Sequence, residues 1–566
     1  MSFHPDLFTA TRGQTFTYLF AVCPFSIAFL VFINSSISFV VTDLIGLHDG
    51  EGDAVGTLGF ADELLALAAC PIWGLLSDRI GVRYVCTVGY AIVALSLALF
   101  VQAKNVYPQL LLGRLLFSLG GAAVSTMVTA VLPAVTDRTV SARTPRTSNL
   151  STSPHRDNVS SQEESRETTR SPSSRLAGFV GTCAGFGALI SLALFLPLPA
   201  RFEKAGISPS KAIQLSYYFV GGVALLISVW CFFGLRNLPG EERKGWRSLL
   251  PNSESQLPDT VRDNQSWPVG KTAHLPYWKQ FSTAVTLGFQ NRNIGLGYVG
   301  GFVARASSVG ISLFIPLFVN HFYRASGLCN NDPGSAPGSG LGDIKRSCPK
   351  AYILASILTG VSQLVALFTA PAFGFLSVKS RRYHLPLLSA ALAGVFGYTG
   401  FALLPDPRFN GADGNPGVFV VMALIGVSQI GAIVCSLAVL SNGILTVGLT
   451  GASLKGNCRS ESNGQGNPVG EYPRPSGDRE SGEQQPLLGA SAGYKQQQLS
   501  HLKGAIAGVY SLYGGAGILV LTKLGGFLFD MVTPDVPFYI MAGFNGILLL
   551  AGIVCGLVGR SNLVPN

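Results

Sequence analysis

The sequence predicts an all-α membrane protein of twelve transmembrane helices in two six-helix, pseudo-symmetric bundles, and three observations predict it. Charge is scarce: of 566 residues, 48% are hydrophobic and 12% charged, where a soluble chain carries about 25% charge. Apolar runs of about 20 residues, long enough to cross a bilayer as a helix, recur along the chain. One of them is written twice, 300 residues apart, as Leu64–Arg79 and Leu364–Lys379.

The runs lie near 17–42, 55–76, 83–103, 107–134, 176–198, 214–235, 294–320, 350–377, 385–404, 417–441, 504–529 and 537–559. Backbone groups in lipid need partners within their own segment, so helices are the spanning element. The 67 glycines fit this reading, because small residues let membrane helices approach closely. The runs divide the chain into a cytoplasmic N-terminus (1–16), a first bundle (17–235), a central cytoplasmic loop (236–293), a second bundle (294–559) and a cytoplasmic tail (560–566). Tracts 136–175 and 449–503, rich in Ser, Thr, Arg or in Gly, Ser, Gln and Pro, carry too little apolar area to offset chain entropy and are expected to be disordered. Tyr277–Arg292 reads as an interfacial helix leading into the seventh span.

The 40 Lys and Arg exceed the 30 Asp and Glu, giving +10. The excess sits in loops between apolar runs, with no basic face interleaved by aromatics, so nucleic acid is not a partner. Arg79, Arg83, Lys379, Arg381 and Arg382 flank spans on the side that also takes the N-terminus, while the loops after the first and eleventh spans have no Lys or Arg. This places the N-terminus and the long polar stretches in the cytoplasm, although the loops after the fifth and seventh spans carry basic residues that oppose it. The first run is too long for a cleaved leader and lacks a small-residue cleavage site, so it reads as a signal anchor.

Seven of the 10 cysteines stand isolated in apolar runs and read as small buried hydrophobes. No metal-ligand spacing appears, nor a phosphate-cradling Gly-rich loop, nor a nucleophile with convergent His and acid. No cofactor, enzyme activity or ATP-driven pump is expected. Cys329 and Cys348 bracket a Gly/Pro/Ser-rich loop on the outer or lumenal side, where oxidation can join them as a disulfide.

The written-twice segment aligns without gaps, with seven of sixteen positions identical, among them Pro71/Pro371, Gly74/Gly374 and Ser77/Ser377; Arg79/Lys379 keep the charge. Chance similarity of apolar helices accounts for leucines and alanines, but not for a Pro–Gly–Ser–basic exit in register. Spans two and eight are thus corresponding members of two halves, the parallel repeat of a transporter with a midplane site.

Gly74-Leu-Leu-Ser-Asp78-Arg79-Ile-Gly81-Val-Arg83-Tyr84 resembles the loop 2–3 signature of the major facilitator superfamily, with Val82 where that family has a basic residue. Leu111-Leu-Gly-Arg114, followed by Gly120-Gly-Ala-Ala123, resembles its fourth-span signature. Gly181–Gly187 resembles the fifth-span antiporter signature weakly, lacking its Gly-Pro pair. The resemblance covers all twelve spans and is nearest the drug:proton antiporter and tetracycline-resistance-like branches and their fungal vacuolar members. It implies a secondary transporter and a gating latch between the halves made of Gly74, Asp78, Arg79, Gly81 and Arg83. A carboxylate at a helix end, facing another helix terminus and an Arg, gains charge-assisted bonds; the plainer reading is that Arg79 and Arg83 only anchor the cytoplasmic face. Val378 leaves the second copy without the acid.

Ionised groups within the bilayer need a partner or a wet cavity. Asp62 and Glu63 lie about 10 Å into span two from the non-cytoplasmic side, and Arg114 lies at the same depth in span four. A carboxylate–Arg114 pair follows. One acid can hold Arg114 while the other exchanges protons; a purely structural charge pair is the alternative. Glu63 shares a face with Gly56, Gly59, Ala66, Cys70 and Gly74, read as a packed stripe. Arg305 lies near the middle of span seven, and no acid of the second half matches its depth. It reads as a ligand for an anionic group of the solute, or else as a snorkelling or water-solvated Arg. Asn34, Gln363 and Gln429, at similar depth, are candidates for the same cavity or for interhelical hydrogen bonds.

Glu483-Gln-Gln-Pro-Leu487-Leu488 matches an acidic dileucine sorting signal, so the 449–503 loop is expected to meet sorting adaptors. The vacuolar membrane is the expected address, with the plasma membrane as alternative. The expected function is alternating-access movement of a small organic solute (an amino acid-like metabolite, a secondary metabolite or a drug), coupled to protons, by a monomer in the bilayer. A transporter-like nutrient sensor and a lipid-moving member of the fold are the rivals.

Overall fold

The computed structural model describes residues 10–46, 51–136, 176–239, 241, 244–245, 276–327, 349–379, 385–409, 414–457 and 502–561. Among the described residues, twelve helices are long and apolar enough to cross a bilayer: Arg12–Ile37, Gly56–Ile80, Val82–Phe100, Val106–Val135, Leu176–Lys204, Ser210–Gly234, Arg292–Tyr323, Ile353–Ser377, Leu385–Ala402, Gly417–Leu445, Lys503–Phe529 and Val536–Leu557. They are called spans one to twelve below. The described residues form no strand. The chain is an integral, multi-pass membrane protein.

Local chemistry sets the helix ends. Span one starts at Arg12 because Thr11 and Gln14 close a capping box, each side chain taking the other's backbone N–H. Gln14 Nε2 also donates to the carbonyls of Arg236 (2.7 Å) and Asn237 (3.0 Å), tying the start of span one to the end of span six. Spans two and three are joined through Gly81 alone, at φ +96°, a conformation open to glycine at little cost. The interfacial helix runs Tyr277–Gln290. The Asn291 side chain then caps span seven by accepting from the N–H groups of Asn293 and Ile294.

One boundary corrects the sequence reading. The tenth helix extends over Gly417–Asn457, so residues 449–457 of the tract expected to be disordered are helical. They contain Gly and Ser but no proline, and only proline both removes a backbone donor and clashes with the preceding turn. Residues 458–501 of that tract and 137–175 lie outside the described residues.

The halves meet along two seams. Span two packs on span eleven, where a Cβ on Gly74 would sit 2.8 Å from Gly508 Cα; span five packs on span eight, where a Cβ on Gly178 would sit 2.7 Å from Gly374 Cα. Glycine alone allows backbones this close. The seams match residue for residue. Gly515 lies against Leu67 and Gly185 against Leu367, and both spans widen into a π-type turn, at Leu521–Gly525 and at Ser191–Phe195. Ala177, Gly178, Gly185 and Gly187 recur as Ala507, Gly508, Gly515 and Gly517, 330 residues on. This second repeat escaped the sequence reading.

Burial follows the same geometry. One apolar core runs through both halves, from Tyr18 and Phe29 to Leu440 and Ile506. A second core, including Phe314, Phe318, Phe401 and Phe538, belongs to the second half alone. Its residues lie toward the ends of spans seven to twelve that the charge pattern assigns to the non-cytoplasmic side. The halves are therefore bonded most closely at the opposite end, the one that carries Asp78.

Candidate functional site

A cavity of about 80 Å³ lies between the halves. Span one supplies Phe25 and Phe29, span two Asp62, Glu63, Ala66 and Cys70, and span four Phe117 and Ser118; from the second half come Arg305 of span seven and Ser511 and Gly515 of span eleven. The face of span two read as a packed stripe is therefore packed closely at Gly74 and open toward Gly56. Glu63, Ala66 and Cys70 border the cavity, and a Cβ on Gly56 or Gly59 would meet nothing within 4 Å.

Asp62 and Arg114 sit together as their depths predicted. Arg114 Nη2 donates to Asp62 Oδ2 at 2.5 Å, with both side chains buried. The same nitrogen donates to Asn34 Oδ1 at 2.5 Å. Spans two and four are fastened on either side of the pair by Ser118 Oγ donating to the Asp62 carbonyl (2.7 Å) and Trp73 Nε1 to the Leu119 carbonyl (2.9 Å). Nε and Nη1 of Arg114 are buried without a partner among the described residues, so Arg114 keeps donor capacity beyond Asp62 and Asn34. Burying such a pair is not a source of stability in itself, but removing one member strands the other charge.

Glu63 and Arg305 face the same cavity from different halves, and among the described residues neither makes an ion pair or a side-chain hydrogen bond. The stem of Arg305 rests on span eleven, where a Cβ on Gly514 would sit 2.7 Å from Arg305 Cγ. The sequence reading sought an acid for Arg305 only within the second half; the nearest one comes from the first.

At the far end of span two from Asp62, Asp78 accepts two hydrogen bonds, from the backbone N–H of Gly504 and of Ala505, each at 2.7 Å. These are free donors of the first turn of span eleven, so a carboxylate of the first half caps a helix of the second. The basic residues of the signature act elsewhere. The Arg79 guanidinium lies 3.5 Å over the Tyr277 ring of the interfacial helix. Arg83 Nε donates to the Phe232 carbonyl at 2.6 Å and its guanidinium covers the Phe232 ring. Glu241, which the sequence reading missed, accepts from the Val82 N–H (2.9 Å) and pairs with Lys244 (3.6 Å), capping span three beside Gly81. An acid among the mixed charges of Glu241-Glu-Arg-Lys244 carries no motif by which to find it.

The other candidates disperse. Asn34 serves Arg114. Gln363 Nε2 donates to Gln429 Oε1 (3.1 Å), and Gln429 Nε2 to Ser308 Oγ (3.1 Å), a chain joining spans eight, ten and seven. None of the three borders the cavity; each is an interhelical bond, the alternative the sequence left open. Cys329, Cys348, Glu483, Leu487 and Leu488 lie outside the described residues.

Residues 24–144, which hold Asp62, Glu63, Asp78 and Arg114, match the model of the Major Facilitator Superfamily. No curated protein matches the sequence. Among solved structures the chain is similar to the Escherichia coli fucose:proton symporter (TM-score 0.50, 12% identity, covering 96% of this chain and 99% of that one). It is equally similar to a proton:xylose symporter solved with 6-bromo-6-deoxy-D-glucose (TM-score 0.50, 11% identity, covering 95% and 94%). At such identities the likeness is one of fold. The family match thus covers the segment from span one to the end of span four, and the twelve-helix fold is similar to that of these two transporters.

Proposed function

We propose that the chain is a secondary transporter that moves a small organic solute by alternating access, with protons coupled through its first half. The observation that carries this reading is the cavity between the halves, bordered by Asp62 and Glu63 on one side and Arg305 on the other. A site shared between two halves is what a rocking motion exposes first to one side and then to the other. Asp78, bonded to the start of span eleven, supplies a contact that must break when the cytoplasmic end opens. The Gly74, Asp78 and Gly81 segment, with Arg79 and Arg83 braced on neighbouring helices, is the latch in this scheme.

Proton coupling rests on the acids. A buried carboxylate exchanges its proton according to its access to water and to the charge of its neighbours, and alternating access changes the first of these. Asp62 is held by Arg114, which leaves Glu63 as the exchanging group. The two sugar symporters of similar fold are proton-coupled by name, which agrees with this reading without specifying the solute here. The Glu483–Leu488 sequence supports delivery to a vacuolar membrane by sorting adaptors.

The test is proton movement driven by solute. Purified protein in vesicles loaded with a pH dye is exposed to fractions of a vacuolar metabolite extract. Wild type is expected to shift the internal pH with an active fraction, and Glu63→Gln, which leaves the Asp62–Arg114 pair in place, to lose that shift. An unchanged pH shift in Glu63→Gln would overturn the assignment of coupling to the first half.

A further inference from the structure

We infer that the cavity is a site for a zwitterion, an amino acid with an apolar side chain, whose carboxylate is held by Arg305 and whose ammonium is held by Glu63. The inference rests on the transporter reading above and supplies its substrate class.

Four observations carry it. The cavity presents an Arg and a Glu from opposite halves, Arg305 and Glu63, that face one space without a direct ion pair to each other or to another described residue. The neighbouring acid is already taken, since Asp62 is bonded to Arg114; the two carboxylates are thus not equivalent, and only one is left to receive a solute cation. Arg305 is placed by its stem lying on Gly514 of span eleven, so its guanidinium is directed from the second half, while Glu63 stands on the first. The remaining wall is aromatic and apolar, with Phe25, Phe29 and Phe117, relieved by the hydroxyls of Ser118 and Ser511. An uncharged solute between them would leave both groups without a charge-assisted contact in a confined space, which is unfavourable. A simple anion would satisfy Arg305 and face Glu63 with like charge, whereas a zwitterion answers both, with its side chain against the rings.

The arrangement also decides the direction of coupling. Glu63 can hold a proton or the solute's ammonium group, but not both. Loading the solute releases the proton from Glu63, and unloading lets Glu63 take a proton from the side then open. No bond other than this O–H is made or broken. Mutual exclusion at one carboxylate gives exchange, one proton one way for one zwitterion the other. The two ions bound by the solute belong to different halves, so the loaded state also draws the halves together across the cavity.

The test uses the full-length chain in nanodiscs and vesicles with the proteinogenic L-amino acids as probes. Each is compared with the acid that lacks its ammonium group and the amine that lacks its carboxylate; for leucine these are 4-methylpentanoate and 3-methylbutylamine. The expected result is that at least one apolar amino acid raises the melting temperature and releases protons. Its two half-analogues should bind about tenfold more weakly or worse, the scale of one lost ionic contact. Glu63→Gln should then abolish proton release while the variant stays monodisperse, and Arg305→Gln should weaken the parent amino acid to the level of the amine. If 4-methylpentanoate binds as well as leucine, the site is an anion site and the inference is overturned. If no amino acid binds while other solutes of a metabolite extract are moved by counterflow, the inference falls and the transporter reading stands. If the folded protein moves nothing from the extract, the transporter reading falls with it.

Discussion

Spans two and eleven cross at Gly74 and Gly508, and spans eight and five cross at Gly374 and Gly178. The backbones approach to the same distance, the leucines that follow (Leu67 and Leu367) press on equivalent glycines, and both outer ends widen by the same π-type turn. The chemistry differs. The first seam ends in Asp78, bonded to two amides of span eleven, and the corresponding residue of span eight is Val378. Further along, Asp62 and Glu63 correspond to Ser362 and Gln363. The first half holds a buried ion pair between spans two and four, and the second a neutral Gln363–Gln429 bond between spans eight and ten. Close packing is thus common to both seams, and charge belongs to one. Packing lets the halves touch, and charge sets how firmly, and under what conditions, one end stays shut.

That contrast can be broken in four ways. Arg114→Ala has the largest expected effect, because it leaves Asp62 buried and unpaired; the cost is about 3–5 kcal/mol. It should appear as a loss of monodisperse protein in detergent, and Asp62→Asn/Arg114→Gln should recover more folded protein than Arg114→Ala alone. Next comes Asp78→Asn, which keeps the shape and weakens two charge-assisted bonds of about 1.5–3 kcal/mol each. Protein yield should be unchanged, with transport down roughly tenfold or more. Val378→Asn, at the matching place in the neutral seam, should leave transport within about twofold. Gly508→Ala and Gly178→Ala test the shared part. Each forces a methyl group against a facing backbone, and both should lower the melting temperature by similar amounts, equivalent to about 1–3 kcal/mol. A fall for one only would mean that the seams are not equivalent in packing. The smallest effect belongs to Gln429→Leu, which removes interhelical bonds worth about 0.6 kcal/mol on average in membranes; thermal stability should barely change.

Much of this was legible in the sequence, and the failures have physical causes. Twelve spans follow from apolar length alone, because lipid leaves the backbone no other choice. The Asp62–Arg114 pair was legible because depth is a linear function of residue number in a helix and an ion in the membrane must find a partner. Asp78's partners were not, since Gly504 and Ala505 bind it through backbone N–H groups, which any residue but proline carries. The 177–187 and 507–517 repeat is spread over small residues between substituted apolar ones, and such identities stand out only once the contacts are known. Gln363 and Gln429 were placed at the right depth but not on the cavity, because depth says nothing about which way round a helix a side chain faces. The opposition of Arg305 and Glu63 joins residues 242 positions apart in different halves. A search for charge balance within one half cannot see it.

The most direct test of the asymmetry is the accessibility of the start of span eleven. Ala505 is buried and meets Asp78 only through its backbone N–H, so a cysteine there can report closure without removing the bond. The rate of its modification by a membrane-impermeant maleimide from the cytoplasmic side is compared between Ala505→Cys and Asp78→Asn/Ala505→Cys, each corrected for the protein without the added cysteine. The account predicts slow labelling with Asp78 in place and labelling at least about tenfold faster without its charge. Equal rates would show that packing alone holds this end closed and would contradict the distinction between the two seams.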